Sequence, residues 1–175
     1  MIKTALACTL TAAVGLVNVS HDFHQAMPQP VQIIHEDPAL TEVRQALRIL
    51  GRDESFAHDI VVTARAKQIN PLLWCANIER ESEFKRTARS NKGYVGLGQT
   101  PKAVMRMGYD TADLMLAACI FAEKRRITKG DVAKALQLYK GGNNPAAKKE
   151  ADKVFALYDK LKKQIAQQAI EEEAA

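Results

Sequence analysis

What this chain of 175 residues lacks narrows its identity first. It has no internal repeat and no low-complexity block, and its balance of 47% hydrophobic to 26% charged residues is that of an ordinary globular domain. Disorder, a collagen-like repeat and a polytopic membrane protein are thereby excluded. Gly-x-Ser-x-Gly is absent, so a hydrolase nucleophile elbow is unsupported. No Ser-His-Asp or Cys-His set stands out in the body. Gly93, Gly96 and Gly98 invite a phosphate-loop reading, but no strand precedes them and no Lys-Ser/Thr follows. No acid arrives at the ribose position either. Cysteine is scarce, with 3 in all, and Cys8 falls in the apolar start. Cys75 and Cys119 lie among apolar neighbours in predicted helices and read as buried thiols. An oxidising compartment would also permit a disulfide between them.

Charge is missing altogether from Thr4 to Ser20, directly after Lys3. One cation followed by a short apolar run is the layout of a secretory signal peptide. The run is shorter than the roughly 18 to 20 residues that span a bilayer. Asn18 is not the small residue a cleavage site ending at Ser20 would have, so an uncleaved, tilted anchor stands beside the cleaved signal. An ordinary buried helix is the third reading. Export to the periplasm is the expectation. His21-x-x-His24 follows in a polar segment and lacks the further ligands a metal site needs. No cofactor and no metal are called for.

The formal net charge is +5, with a sequence pI of about 9.1. The excess is small and spread out. Its densest runs, Lys124-Arg125-Arg126 and Lys162-Lys163, fall where cations complement a helix dipole or are solvated. Nucleic acid is therefore not expected as a partner. Lipid headgroups and an acidic cell-wall polymer remain among the anionic partners that a basic balance favours.

Along the body the period is helical. Pro28 and Pro30 mark residues 21–36 as a linker. Asp37-Pro38 caps a helix carrying Leu40, Val43, Ala46, Leu47 and Leu50 up to Gly51. Asp53 is expected to cap a second, with Phe56, Ile60, Val61 and Ala64 on one face. Asn70-Pro71 starts a third, running through Trp74 towards Glu81-Ser82. Around Gly93, Gly96 and Gly98 only a brief strand at Tyr94-Val95 fits. Ala112 to Ala122 contains only Asp113 as a polar residue and should be buried on nearly all sides. Asp131 opens a further helix through Tyr139, ended by Gly141-Gly142. Pro145 begins a long last one with Val154, Tyr158, Leu161 and Ile165 inward, and Glu171-Glu172-Glu173 should fray. The expectation is a mostly α domain with one short glycine-rich loop or hairpin insert. Its segments are 1–20 (signal or anchor), 21–36 (linker), 37–68 (helical pair), 69–144 (core) and 145–175 (last helix and acidic tail).

The insert is the natural place for chemistry, because loops carry function on rigid scaffolds. Glu81 enters it. On its helix Glu81 shares a side with Trp74, Asn77 and Ile78, whereas Glu79 and Glu83 point the other way as a solvated pair. A carboxyl directed at apolar surroundings holds its proton more readily and can act as a general acid. Taken by themselves, carboxylates at helix ends are more often solvated than catalytic.

The order Glu81-Ser82-x-Phe84, Ala88-x-Ser90, Gly93-Tyr94-x-Gly96-Leu97-Gly98-Gln99 resembles the signature of the soluble (SLT-type) lytic transglycosylases. That pattern reads E-S-x-F-x-x-x-A-x-S-x-x-G-A-x-G-L-M-Q. Leu138-Tyr139-Lys140-Gly141-Gly142 is similar to the family's A-Y-N-A-G, and Ile69 to Leu73 to the start of its catalytic helix. The resemblance spans residues 69–142. It implies a lysozyme-like fold that cleaves the β-1,4 bond between N-acetylmuramic acid and N-acetylglucosamine in peptidoglycan. Glu81 matches the sole catalytic acid/base, and the product is a 1,6-anhydro end. Ser90, Gln99 and Tyr139 match substrate-binding positions, with the Tyr139 hydroxyl expected on the catalytic carboxyl. Gly93, Gly96 and Gly98 match positions that shape the loop. The implied partners are peptidoglycan strands and, beyond them, a secretion or conjugation machine or a phage particle.

Four departures from that pattern are visible. Gly98 stands for Met, Tyr94 for a small residue and Lys140 for Asn, and Gln99-Thr100-Pro101 is one residue short. Tyr94 and Lys140 are further cleft candidates, Lys140 as a partner for a peptide-stem carboxylate. Two alternatives remain open: a muramidase that uses water, and a wall-binding module without turnover. A muramidase needs a second carboxylate in the cleft, and between Phe84 and Tyr109 there is none.

Overall fold

Three helices begin with the same device, a short polar cap followed by proline. In the computed structural model, which describes residues 36–101 and 109–174, α1 (Pro38–Ile49), α3 (Pro71–Ser82) and α6 (Pro145–Glu173) start this way. Asp37 accepts from the Ala39 amide at 3.0 Å, and Asn70 and Asn144 each accept from the third amide on at 2.9 Å. Proline loses nothing there, since its missing N–H would have had no partner in the helix. Such a cap is worth about 1 kcal/mol. The readings on residues 1–35 lie outside the described residues, among them the signal or anchor, Cys8, His21-x-x-His24 and most of the linker.

The remaining elements are α2 (Phe56–Ala66), a hairpin of β1 (Tyr94–Val95) and β2 (Thr100–Pro101), α4 (Asp110–Ile127) and α5 (Val132–Tyr139). The fold among the described residues is thus mostly α, as the periodicity predicts. The strands pair antiparallel, Tyr94 opposite Pro101 and Val95 opposite Thr100. α3 is central. Seven successive residues, Leu72 to Ile78, are buried, and α1, α2 and α6 pack around it. Trp74 sits 6.0 Å from the Phe121 ring of α4 and 6.2 Å from the Tyr139 ring of α5. One hydrophobic cluster runs from Val43 to Leu161, so the segments 37–68, 69–144 and 145–175 share a single core.

Several local expectations change. α2 begins after Ser55, not Asp53; the Asp53 carboxylate instead accepts from the Ser55 amide at 2.9 Å in the preceding turn. α4 buries one stripe, Leu114, Ala117, Ala118 and Phe121, while its other apolar residues are half-buried, or in the case of Ile127 exposed. Glu171 to Glu173 continue α6 as exposed helix, and Gln167 donates to Glu171 one turn on. Cys75 and Cys119 are both free thiols, and burial pushes the Cys75 thiol far up. No helix among the described residues is long and apolar enough to cross a membrane.

Candidate active site

The packing of α3 fixes where Glu81 points. Because Trp74, Asn77 and Ile78 are buried on the same face, the last turn carries Glu81 to the edge of the core, where its side chain is 15% exposed. The chain then turns away through two residues in the left-handed region, Glu83 (φ 52°) and Phe84 (φ 58°). Each costs about 1–2 kcal/mol for a residue with a Cβ. Burial of Phe84 against Phe56, with ring centroids 5.3 Å apart, holds the turn.

Glu79 and Glu83 are not the solvated pair their spacing implies. Glu79 is 13% exposed and accepts from two guanidinium nitrogens of Arg52, at 2.9 and 2.7 Å. Glu83 alone is solvated, in contact with Lys85. Sequence spacing places these two on a common face; it cannot show that the loop after α1 brings Arg52 onto the nearer one.

Opposite Glu81 stands α5. Its C-cap, Lys140, donates from Nζ to Glu81 Oε1 at 2.8 Å, and the Lys140 side chain is 6% exposed. Burial lowers the Lys140 ammonium below its usual value, and Glu81 partly restores it. Glu81, expected as a lone acid in an apolar or mixed environment, is therefore one half of an ion pair. Lys140, expected to partner a substrate carboxylate, here partners Glu81.

Tyr139 also differs from expectation. Its hydroxyl donates to the Gly98 carbonyl at 2.8 Å rather than to Glu81, tying α5 to the glycine loop. Burial pushes that hydroxyl well above its usual value, and the carboxylates of Glu81 and Asp113 add to the rise. The other side of the loop is tied to α4. Asp113 accepts from Gly98 N–H at 3.2 Å and from the Thr100 hydroxyl at 2.6 Å. Gly96 has φ +80° and a Cβ there would lie 2.3 Å from the Asp113 carboxylate. Gly98 is needed for space instead: its Cβ would fall 2.4 Å from that of Ala117. The Met of the family pattern would not fit here without moving the loop from α4.

These ties wall a cleft of about 620 Å³, within the usual range for small-molecule sites. Glu81, Ser90, Tyr94, Gln99, Tyr139 and Lys140 all line it, so every predicted polar and aromatic site residue converges there. Gly93, Gly96 and Gly98 shape the loop without lining the cleft. Ser90 accepts from the Tyr94 amide at 3.1 Å, and Gln99 (φ 48°) donates to the Gly96 carbonyl at 3.0 Å. Both side chains thus brace the loop while facing the cleft. Tyr94 is 41% exposed at its rim.

No family model, curated protein or solved structure matches this chain. The chemistry of the cleft has to be read from its own residues. Among the described residues Glu81 is its only carboxylate, and the residues 102–108 bring no acid by sequence. Sequence reasoning missed Lys92 and Lys124 in the lining, with Ile120 and Leu138 as its apolar part. It also missed Asp113, although a single acid in the otherwise apolar stretch from Ala112 to Ala122 was a usable signal. A proton donor and acceptor at one carboxyl, apolar and aromatic walls, and amide and hydroxyl groups at the rim are a set that can bind a sugar and transfer a proton.

Proposed function

We propose that this chain is a peptidoglycan lytic transglycosylase of lysozyme-like fold, with Glu81 as its single acid/base. The observation that carries the reading is that, among the described residues, one carboxylate, and no second, lines the cleft that gathers the motif residues. Glycosidases ordinarily use two, one of them to act on water or on C1. One suffices when the nucleophile is already attached to the substrate. Protonated Glu81 gives its proton to the glycosidic oxygen as the C1–O bond breaks. The C6 hydroxyl of the same muramoyl sugar then bonds to C1 and gives its proton to the Glu81 carboxylate. The products are a 1,6-anhydromuramoyl end and a free 4-hydroxyl on N-acetylglucosamine, with no water consumed. A positioned intramolecular hydroxyl has a large effective concentration, so holding the sugar matters more than a second acid.

A second reading, a wall-binding module without turnover, is favoured by the Glu81–Lys140 contact at 2.8 Å, because a carboxylate held by an ammonium is not yet a proton donor. Digestion of purified sacculi and mass spectrometry of the ends separate the readings. Anhydromuramoyl ends, lost in Glu81→Gln, are expected. Reducing muramic ends would identify a hydrolase, and no cleavage at all a binding module. In the leading reading the protein is exported and opens the wall locally, in the service of a secretion or conjugation machine or of a phage particle.

A further inference from the structure

Beside the cleft lies a smaller groove of about 230 Å³, and the two share Lys92, Lys140 and Gly141 as a common wall. Lys149 flanks the groove from the first turns of α6. Among the described residues, Lys92 and Lys149 have no ion-pair partner, and Glu150, the only acid lining the groove, is already held by Arg80 and Lys153. Lys140, 6% exposed, thus separates Glu81 on one side from an unneutralised basic groove on the other.

We infer that the groove binds a carboxylate carried by the substrate and that this anion draws Lys140 off Glu81, so that the acid is released only when an anionic glycan is in place. The inference rests on the reading of the cleft as a muramoyl-glycan site. In that substrate the sugar that reacts at C1 bears its carboxyl branch at C3 of the same ring, near the scissile bond. An anion between Lys92 and Lys149 competes with Glu81 for the Lys140 ammonium. Glu81 then exchanges an ammonium for the glycosidic oxygen as its neighbour, which a general acid requires. The groups facing Lys140 are Glu81, Arg80 and Glu150, of which only Glu81 bonds it.

Three substrates test this with the full chain: strands with stem peptides, strands stripped to the lactyl carboxylate, and stripped strands whose carboxylates are converted to neutral methylamides. Wild type should cleave the methylamide form at least tenfold more slowly, by kcat/KM, than the faster of the anionic forms. Which of those two is faster identifies whether the lactyl or a peptide carboxylate fills the groove. In the double variant Lys92→Ala/Lys149→Ala the ratio should fall towards one. In Lys140→Asn it should also fall towards one, through a gain on the neutral strand. Equal wild-type rates on all three substrates overturn the inference, as does an unchanged ratio in the double variant. So does a folded Lys140→Asn that is inactive on every strand. Calorimetric titration of wild type with a muramoyl disaccharide and its methylamide keeps the two proposals apart. Tighter binding of the acid without any anhydro ends sinks the transglycosylase reading and leaves the groove standing. Equal binding without cleavage sinks both.

Discussion

Gly96 and Gly93 offer a matched pair of perturbations. Their φ angles are nearly the same, +80° and +81°, so replacing either with alanine imposes the same left-handed strain, about 1–2 kcal/mol. Their surroundings differ. A Cβ on Gly93 meets nothing within 4 Å, whereas one on Gly96 lies 2.3 Å from Asp113 Oδ2. The carboxylate cannot swing aside freely, because that oxygen accepts from Gly98 N–H and its partner oxygen from Thr100, which is 2% exposed. Hydrogen bonds to a charged group contribute about 1.5–3 kcal/mol each, and displacing the carboxylate weakens both. Gly93→Ala should therefore cost about 1–2 kcal/mol and Gly96→Ala about 3–5 kcal/mol, the excess being the loss of the Asp113 anchor. Urea unfolding followed by circular dichroism gives the two values if the slopes agree. Hydrogen exchange at the Gly98 amide reports whether the damage is confined to the loop. In an Asp113→Ala background the excess at Gly96 should vanish, since there is no carboxylate left to displace. Equal penalties at the two glycines, or an excess that survives Asp113→Ala, would refute this account of the loop.

Three further outcomes are expected. Burial lowers the Lys140 ammonium below its usual value of 10.5, so between its folded value and 10.5 the unfolded chain binds the extra proton and stability rises with pH. Wild type should thus gain stability relative to Lys140→Met as pH climbs towards 10.5, read from urea midpoints at matched pH, and a difference that shrinks instead would reverse the sign. Arg52→Ala should destabilise by about 2–4 kcal/mol, because it strands the nearly buried Glu79 carboxylate, and Arg52→Ala/Glu79→Gln should recover part of that loss in the same denaturation assay. Cys119 should react with a thiol reagent in the folded protein well before Cys75, whose thiol is fully buried and pushed up by that burial; peptide mapping by mass spectrometry would expose the opposite order.

Sequence periodicity recovered the helices because their apolar residues repeat at the helical spacing and their caps are local. Asp37, Asn70 and Asp131 each act within three residues of themselves. What it could not recover depends on contacts between distant segments. Asp53 has the chemistry of a cap, and only the geometry of the loop after α1 decides that it bonds Ser55 before the helix begins. The face of Glu79 was readable from spacing, but not the arrival of Arg52 from 27 positions away. The same holds at the site. The convergence of Glu81, Ser90, Gln99 and Tyr139 follows from the motif order, whereas the partner of each polar atom does not. Tyr139 reaches Gly98 and Lys140 reaches Glu81 because α5 meets both the loop and the end of α3.

That last arrangement bears on why a single carboxylate would be enough. An enzyme with one acid/base cannot tolerate a wandering carboxyl, since the same oxygen must meet first the leaving oxygen and then the C6 hydroxyl. Here Glu81 follows seven consecutive buried residues of α3, so its Cα is held by the core itself. Its side chain is held at rest by Lys140, and Lys140 is fixed in turn by its neighbour Tyr139, packed between Trp74 and Phe121 and bonded to Gly98. Tyr139→Phe tests the connection. It removes one hydrogen bond, worth about 1 kcal/mol in stability, and leaves the aromatic packing intact. If Tyr139 acts by holding the loop and Lys140 in register, the variant should lose several-fold in kcat with KM little changed, and the alkaline limb of its pH profile, where the required acid loses its proton, should stay where it is in wild type. A shifted alkaline limb would mean that the hydroxyl reaches Glu81 directly during turnover, contrary to its place on the Gly98 carbonyl.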